Sequence, residues 1–301
     1  MNKLSTAFIL LAGILWSTMG IFVRALGSFG FSPMDISCFR LCSTAIMLVI
    51  FLVVKDKNKL KINIKDIGWF FGLGVGSLLL TSYFYFTTLT LTSISVAVIL
   101  MYTAPTMVMI MSILFFKEAF TYRKLISLLL AFGGCILVSG IGTGSSITLN
   151  GFIMGLASGL SYALYSIFGT VLLKKYHPYT VTLYGFFTAA LASIIISDIP
   201  GMGNVISLTS NKPRLLILII AIGFFTAFAP FLLYTLGLRD VEASKASIMA
   251  AIEPMAATII GFIYFKEPLS VSSMSGIFLI IGAIILTNIS PNNANAEVVD
   301  E

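Results

Sequence analysis

Glu253 is the residue whose type and position most directly imply chemistry, because it lies near the middle of an apolar stretch at residues 243–265. Pro254 follows it and has no backbone N–H, so a carbonyl group one turn earlier loses its donor. A carboxylate beside a backbone freed in this way can bind a cation, an amine or a proton. The alternative is a structural carboxylate that bonds to a neighbouring helix or to Arg40.

Arg40 is a second charged residue inside an apolar stretch, about a third of the way along residues 33–54. Its planar guanidinium can hold a substrate carboxylate through two parallel hydrogen bonds. The alternative, which the sequence favours, is that Arg40 snorkels outward or pairs with Asp35, five residues before it. Arg24 lies near the end of its own stretch, and we expect it to be an interfacial anchor.

Aromatic residues with a polar atom form a second set of candidates. Trp16 and Tyr162 occupy equivalent places well inside two apolar stretches. A buried Tyr or Trp needs a hydrogen-bond partner, which a central cavity supplies through water or a substrate. The alternative is packing or an interfacial aromatic belt, and the belt is favoured for Tyr85 and Tyr234, which lie near the ends of their stretches. The further candidates for a cavity lining are Tyr83, Tyr102 and Tyr165.

No group of residues in the sequence resembles a catalytic centre. His177 is the only histidine, and the three cysteines lack the spacing of metal ligands. The glycine-rich loop followed by Lys-Ser/Thr that binds phosphate in ATP-driven proteins is also missing. Glu242 and Lys245 lie at the end of a stretch, where we expect them to be solvated. The sequence therefore predicts neither an enzyme nor a bound metal or cofactor.

The elements that position these residues are predicted to be membrane helices. Hydrophobic residues make up 58% of the chain and charged residues only 10%, whereas soluble domains carry about 25% charged residues. A helix needs about 20 apolar residues to cross a hydrocarbon core of about 30 Å, and in lipid every backbone polar group must be paired internally. We therefore predict an all-α integral membrane protein with ten transmembrane helices, at residues 5–26, 33–54, 67–88, 93–116, 122–141, 150–173, 179–197, 213–236, 243–265 and 271–289.

The distribution of Lys and Arg predicts the orientation. If the N-terminus is cytoplasmic, thirteen of these cations lie inside and at worst five lie outside. The positive-inside rule then places both termini in the cytoplasm of a protein that crosses the cell membrane many times. Because the cations sit in short links between apolar stretches, the net charge of +6 does not indicate nucleic-acid binding. The first stretch is too long for a usual signal peptide, so we interpret it as a span.

The sequence also contains an internal repeat. A shift of 149 residues superimposes Phe116-Lys117-Glu118 on Phe265-Lys266-Glu267 and Pro105 on Pro254, with 12 identities over the 49 positions 85–133. The two prolines are expected to kink the fourth and ninth helices at matched depths. The two Phe-Lys-Glu endings are expected to stop these helices, and we assign them no chemistry. The pairs Gly72/Gly76 and Gly155/Gly159 are predicted to be packing surfaces.

The repeat divides the chain into residues 5–141 and 150–289, followed by a predicted disordered cytoplasmic tail at 290–301. Each half has five spans, which is an odd number, so the second half enters the bilayer from the opposite side. The two halves therefore form an inverted repeat. Secondary transporters use this architecture because near-equivalent halves can expose a central site alternately to either side.

Four short motifs occur in the order Leu15-Trp16-Ser17, Phe39-Arg40, Ala104-Pro105 and Glu253-Pro254, and a Phe-Lys-Glu ending follows each of the last two. With these motifs the chain resembles the EamA family of the drug/metabolite transporter superfamily over about residues 5–289. The resemblance implies ten helices, two EamA domains and movement of small metabolites or drugs, often the export of amino acids or related compounds. The halves differ in that Ala104 stands where the second half has Glu253, so a role for this carboxylate belongs to one half.

We therefore expect a secondary transporter that exports small organic metabolites, such as amino acids, across the cytoplasmic membrane by alternating access. Glu253 and the aromatic residues would line its site, and proton exchange or the solute's own gradient would drive it. The alternative is a multidrug exporter, because a carboxylate and aromatic rings also suit lipophilic cations. A receptor or an intramembrane enzyme ranks below both, since the sequence contains neither a sensor domain nor a catalytic cluster. The sequence does not predict an oligomeric state.

Overall fold

A computed structural model describes residues 3–140 and 148–289 of the chain, and it contains helices but no strands within these ranges. The predicted tail at 290–301 and Ile141, the predicted end of the first repeat, lie outside the described residues. We label the ten long helices in chain order as α1 Lys3–Gly27, α2 Pro33–Lys55, α3 Ile64–Leu91, α4 Ile94–Phe116, α5 Tyr122–Val138, α6 Leu149–Leu173, α7 Pro178–Ile196, α8 Lys212–Leu238, α9 Ala243–Phe265 and α10 Val271–Asn288.

Within the described part of the chain, nine of these helices are long and apolar enough to cross a membrane. The protein is therefore a multi-pass membrane protein. The bounds of the nine agree with the predicted spans to within a few residues, which is the usual uncertainty of helix ends. The remaining helix, α5, was predicted at 122–141 and is 17 residues long in the structure.

A short helix at Ile199–Leu208 occupies the link between α7 and α8, where the sequence predicts no span. Asp198 caps its start by accepting a hydrogen bond of 3.1 Å from the backbone N–H of Gly201. Its apolar residues pack in one cluster with Leu26 and Phe31. Ten residues are too few to span a bilayer, so the hydropathy of the sequence does not indicate this helix as a span.

The equivalent helices α4 and α9 run antiparallel. The end of α4 lies beside the start of α9, because Glu118 accepts a hydrogen bond of 3.0 Å from the backbone N–H of Ala243. On the opposite side, the end of α9 lies beside the end of α1, where Glu267 forms an ion pair of 2.7 Å with Arg24. We call the side with Glu118 the first face and the side with Glu267 the second face. Because equivalent helices point in opposite directions, the repeat is inverted.

Irregular backbone geometry repeats with the spacing of the sequence repeat. A π-helical segment occupies Gly72–Leu79 in α3 and Phe224–Phe228 in α8. Helix α4 is interrupted at Tyr102 and Thr103, and helix α9 is interrupted at Ala251. A shift of 149 residues superimposes Tyr102 on Ala251. The same shift superimposes residues 75–79, the last five of the π segment in α3, on the π segment Phe224–Phe228 in α8. The tertiary structure therefore keeps the register that the sequence identities indicate.

The prolines predicted to kink α4 and α9 lie just after these interruptions. A proline ring clashes with the carbonyl group four residues earlier. For Pro105 and Pro254 these carbonyls belong to Met101 and Ala250, which are the last residues of the first helical segments. The two helices are therefore interrupted at the place where proline chemistry requires it.

Helix α1 is also interrupted, at Ser17 and Thr18. The Ser17 hydroxyl donates to the carbonyl of Ile14 at 2.5 Å, and the Thr18 hydroxyl donates to that of Leu15 at 2.7 Å. These bonds pair carbonyl groups that lipid could not satisfy. The equivalent helix α6 is continuous, so this interruption belongs to the first half alone.

Glycines bring helices into backbone contact at matched places. A Cβ atom on Gly74 of α3 would collide with Gly185 and Thr188 of α7, and one on Gly223 of α8 would collide with Ser43 of α2. Gly74 and Gly223 are related by the same shift of 149 residues. Without a hydrophobic driving force between helices in lipid, close packing of small residues holds such pairs together.

The predicted glycine pairs also lie at helix contacts. Gly155 and Gly159 pack α6 against α4, where a Cβ atom on Gly159 would lie 2.8 Å from the carbonyl oxygen of Leu100. The other pair, in α3, faces the ring of Phe168 of α6. Both pairs therefore join α6 to helices of the first half.

Replacing Gly223 by Leu is expected to destabilise the protein, because the new side chain would collide with Ser43 and the α2 backbone. Overpacking of a tight interface costs about 1–3 kcal/mol, so the thermal unfolding midpoint in detergent should fall. Gly282→Leu is the matched control, since nothing lies within 4 Å of a Cβ atom built there. Equal midpoints for the two variants would contradict this packing.

Candidate functional site

A cavity of about 590 Å³ opens at the second face and reaches the middle of the bundle. Small-molecule sites usually have volumes of about 300–1,000 Å³. The interrupted segments of α1, α4 and α9 meet at its closed end, where Trp16 and Tyr102 lie. Six of the seven side chains predicted from the sequence line this cavity: Trp16, Arg40, Tyr102, Tyr162, Tyr165 and Glu253.

The carboxylate of Glu253 lies inside the cavity in the first turn of the second segment of α9. The positive end of a helix dipole favours an anion at this place. The Tyr162 hydroxyl donates a hydrogen bond of 3.2 Å to Oε2 of Glu253, and Tyr102 and Arg40 line the same cavity. Side chains from α2, α4 and α6 thus share one cavity with the acidic side chain of α9.

Three buried donors of the cavity wall have no hydrogen-bond partner among the described residues. They are Nε of Arg40, the Thr81 hydroxyl and the indole Nε1 of Trp16. Buried donors in native proteins are nearly always paired. Because these atoms are buried beneath the cavity surface, an acceptor in the cavity would reach them only after the side chains rearrange.

Arg40 does not pair with Asp35 and does not snorkel outward, so the interpretation that the sequence favoured is wrong. Asp35 instead forms a capping box at the start of α2: the Ser32 N–H donates to its carboxylate at 2.9 Å, and its own N–H donates to the Ser32 hydroxyl at 3.2 Å. Arg40 lines the cavity, and its Nη2 lies 3.5 Å from the Ser82 hydroxyl. Asp35 therefore caps the start of α2 and does not pair with Arg40.

Aromatic rings close the cavity towards the first face. The Trp16 ring lies 4.9 Å from that of Phe231 and 5.3 Å from that of Tyr234. The Tyr165 hydroxyl shares a hydrogen bond of 2.8 Å with that of Thr235. Beyond this layer lies a void of about 20 Å³, which is room for about one water molecule. The layer separates the cavity from the first face.

Tyr83 is the predicted lining residue that does not line the cavity. Its side chain is 48% exposed, and Tyr85, two positions later and therefore turned by about 200° around the helix, takes the place in the cavity wall. Tyr234 is 4% exposed and shares a hydrogen bond of 2.8 Å with Ser166. The belt placement expected for Tyr85 and Tyr234 is therefore wrong, because Tyr85 lies in the cavity wall and Tyr234 is buried against α6.

Glu242 and Lys245, which the sequence placed in solvent, belong to an ion-pair network on the first face. Glu242 pairs with the half-buried Lys245 at 3.1 Å and with the buried Lys124 at 2.9 Å. Lys124 also pairs with Glu118 at 3.2 Å. Burial alone would raise the pKa of Glu242, but the hydrogen bonds from both lysines outweigh it and hold this pKa below its usual value. Charge pairing thus reinforces the closed face.

A model of the EamA-like transporter family matches residues 3–140 and again residues 149–289. The chain belongs to the EamA-like transporter family. The resemblance read from the sequence is confirmed, and the two matches cover the two halves of the inverted repeat. This membership makes the cavity between the halves a candidate transport site.

Known relatives of this EamA-like transporter span nearly its whole length. An uncharacterized transporter of Archaeoglobus fulgidus is 28% identical over 257 residues, which cover 85% of this chain and 88% of the relative. The uncharacterized transporter YdfC of Bacillus subtilis is 25% identical over 285 residues, which cover 93% of this chain and 90% of the relative. A solved crystal structure covers 96% of this chain and 97% of its own, with a TM-score of 0.79 and 15% identity. This last similarity supports the fold.

A cysteine introduced at Val23 in the cavity wall is expected to react with a membrane-impermeant maleimide. The background carries alanine at Cys38, Cys42 and Cys135. Ser247→Cys, a buried position beside the small void, should react at least about tenfold more slowly, because a thiolate forms only where water reaches it. Ile220→Cys, on the outer surface of α8, is the lipid-facing control and should not react. Equal rates at Val23 and Ser247 would show that the aromatic layer does not separate them.

Proposed function

We propose that this EamA-like transporter moves a small zwitterionic metabolite, such as an amino acid, by alternating access. The observation that carries the proposal is that one cavity contains the carboxylate of Glu253 and the guanidinium of Arg40. A zwitterion presents the complementary groups: an ammonium for the first and a carboxylate for the second. Charge-assisted hydrogen bonds of this kind are about twice as strong as neutral ones and depend on geometry.

The remaining wall suits an organic side chain. Trp16, Tyr102, Tyr162 and Tyr165 offer ring surfaces together with polar atoms. Sites for small molecules commonly combine apolar and aromatic walls with a few placed polar groups.

Alternation of access rests on the inverted repeat. The structure is open at the second face and closed at the first, while its halves share one register of interruptions and π segments. If the halves exchange these two arrangements, the same site opens to the first face. The interruptions in α1, α4 and α9 lie at the closed end of the cavity and are the proposed hinges, with Pro105 and Pro254 beside two of them. Proton exchange at Glu253 or the solute's own gradient would drive the cycle.

For the topology, we propose that α5 is the tenth span and that both termini are cytoplasmic, so that the second face is external. Seventeen residues lie at the lower limit for a span, and α5 packs on α10 so closely that a Cβ atom on Gly276 would lie 2.7 Å from the Gly134 carbonyl oxygen. The excess of Lys and Arg in links of the first face supports a cytoplasmic first face. Export from the cytoplasm, in the cytoplasmic membrane, is the direction that the family resemblance implies.

The test is counterflow in liposomes with radiolabelled amino acids, together with matched amines that lack the carboxylate and acids that lack the amine. Glu253→Gln is expected to slow zwitterion transport at least about tenfold, because one charged hydrogen bond contributes about 1.5–3 kcal/mol. Arg40→Gln should slow the zwitterion similarly but should not slow the amine, which lacks the carboxylate that Arg40 binds. Tyr162→Phe removes the donor to Glu253, and Tyr83→Phe is its matched control outside the cavity. Zwitterion transport undiminished in Glu253→Gln and Arg40→Gln would contradict the proposal.

The second candidate is an exporter of lipophilic cations, which the apolar area and aromatic rings of the cavity favour. The two functions differ at Arg40, because a guanidinium repels a cation. A multidrug exporter should therefore export a lipophilic cation faster when Arg40 is replaced by Gln. A zwitterion transporter with the same replacement should transport its zwitterion more slowly. Drug-resistance profiling of a deletion strain with and without each variant distinguishes the two.

A further inference from the structure

The Phe-Lys-Glu endings of α4 and α9 have the same backbone and different side-chain partners. Lys117 and Lys266 both adopt the left-handed conformation, with φ of 55° and 58°. The N–H groups of Glu118 and Glu267 bond to the carbonyls of Ser112 and Gly261 at 3.3 and 3.1 Å, which are equivalent in the repeat. Local sequence thus builds one structure twice, and any difference between the two glutamates comes from the tertiary arrangement.

On the closed first face, Glu118 joins the two halves. Its carboxylate accepts hydrogen bonds from the N–H of Ala243 at 3.0 Å and from the Ser244 hydroxyl, both in the first turn of α9. Its side chain is 8% exposed and also pairs with Lys124 at 3.2 Å. The first N–H groups of a helix have no partner within the helix, and a carboxylate satisfies them. The end of α4 is thereby held on the start of α9.

On the open second face, Glu267 does not make the equivalent contact. The shift of 149 residues relates Ala243 and Ser244 to Ile94 and Ser95 at the start of α4. Both of these residues and Glu267 line the mouth of the cavity. The Ser95 hydroxyl donates to the carbonyl of Ser139 at 2.6 Å instead, while Glu267 is half-exposed and pairs with Arg24.

We propose that Glu118 and Glu267 are alternating positioning residues of the transport cycle. Each holds the start of the opposite copy of its helix when its own face is closed and releases it when that face opens. In the second conformation Glu267 accepts hydrogen bonds from the Ile94 N–H and the Ser95 hydroxyl, while Glu118 leaves α9. The proposal rests on alternating access, and it assigns a role to the two motif residues that lie away from the substrate.

The two contacts are unequal. Lys124, which supports Glu118 from the side, has Ser273 as its counterpart 149 residues later. Glu118 therefore has a buried cation beside it, whereas Arg24, the cation that pairs with Glu267, is exposed to solvent, where an ion pair contributes little. This difference favours the conformation that is closed at the first face when no substrate is bound, which is the conformation of the structure.

Disulfide cross-linking tests the proposal in membranes, without substrate, on a background with alanine at the three native cysteines. A Ser95→Cys/Glu267→Cys pair reports the second conformation, and a Glu118→Cys/Ser244→Cys pair is the positive control for the contact in the structure. Both pairs are expected to cross-link, the first more slowly. Absence of the 95/267 cross-link under conditions that complete the 118/244 cross-link would overturn the proposal.

The energetic role is tested by adding Glu118→Gln to the 95/267 pair. Loss of a charged hydrogen bond at the first face should raise the cross-linking rate about tenfold, because the second conformation becomes more populated. Lys117→Gln, which changes the adjacent charge, is the matched control and should leave the rate unchanged. Lys124→Ser, which copies the residue of the other half, should raise the rate in the same direction if Glu118→Gln does not fold. Equal rates in all backgrounds would overturn the proposal.

The outcome is independent of the substrate. Cross-linking that follows these expectations supports the alternating contacts even if the liposome assay finds no zwitterion transport, which would count against the proposed substrate alone. Conversely, zwitterion transport with an unchanged cross-linking rate would retain the proposed function and remove the two glutamates from its cycle.

Discussion

The whole structure depends on one constraint: in hydrocarbon, each backbone N–H and C=O group must find a partner inside the protein. This constraint makes the chain helical, and it permits broken helices only where side chains or a cavity supply the missing partners. The interruptions of α1, α4 and α9 obey it. Hydroxyls of Ser17, Thr18 and Thr103 bond to carbonyl groups at these breaks, and the breaks meet at the closed end of the cavity. Irregular backbone and the cavity therefore occur together for one physical reason.

The two halves share one helical architecture, and the residues that differ between them give the cavity its charged and polar groups. Both halves carry the interruption, the π segment and the left-handed Lys at the same spacing. The halves differ at two positions near the cavity. Glu253 of α9 corresponds to Ala104 of α4, and Tyr102 of α4 corresponds to Ala251 of α9. Tyr102 and Glu253 both line the cavity. A symmetric scaffold thus encloses a polar, directional site.

The sequence alone predicted much of this protein. Nine spans, the repeat register and the inversion followed from hydropathy and from identities at a spacing of 149 residues, and six of the seven side chains that the sequence proposed for a site lie in the cavity wall. These features depend on local composition and on chain order, which a sequence records directly. The short helix at Ile199–Leu208 was not predicted, because its ten residues are too few for a span.

Only the tertiary structure decided which way individual side chains face. In a membrane helix both the lipid-facing and the buried side are apolar, so periodicity does not distinguish Tyr83 from Tyr85. The sequence also did not determine the hydrogen-bond partner of each charged side chain, because several acceptors lie within reach along the chain. Asp35 caps the start of α2, and Arg40 lines the cavity. The identical endings at Glu118 and Glu267 show the same limit most directly. One motif has two environments, because the conformation of the bundle and not the local sequence determines what lies opposite it.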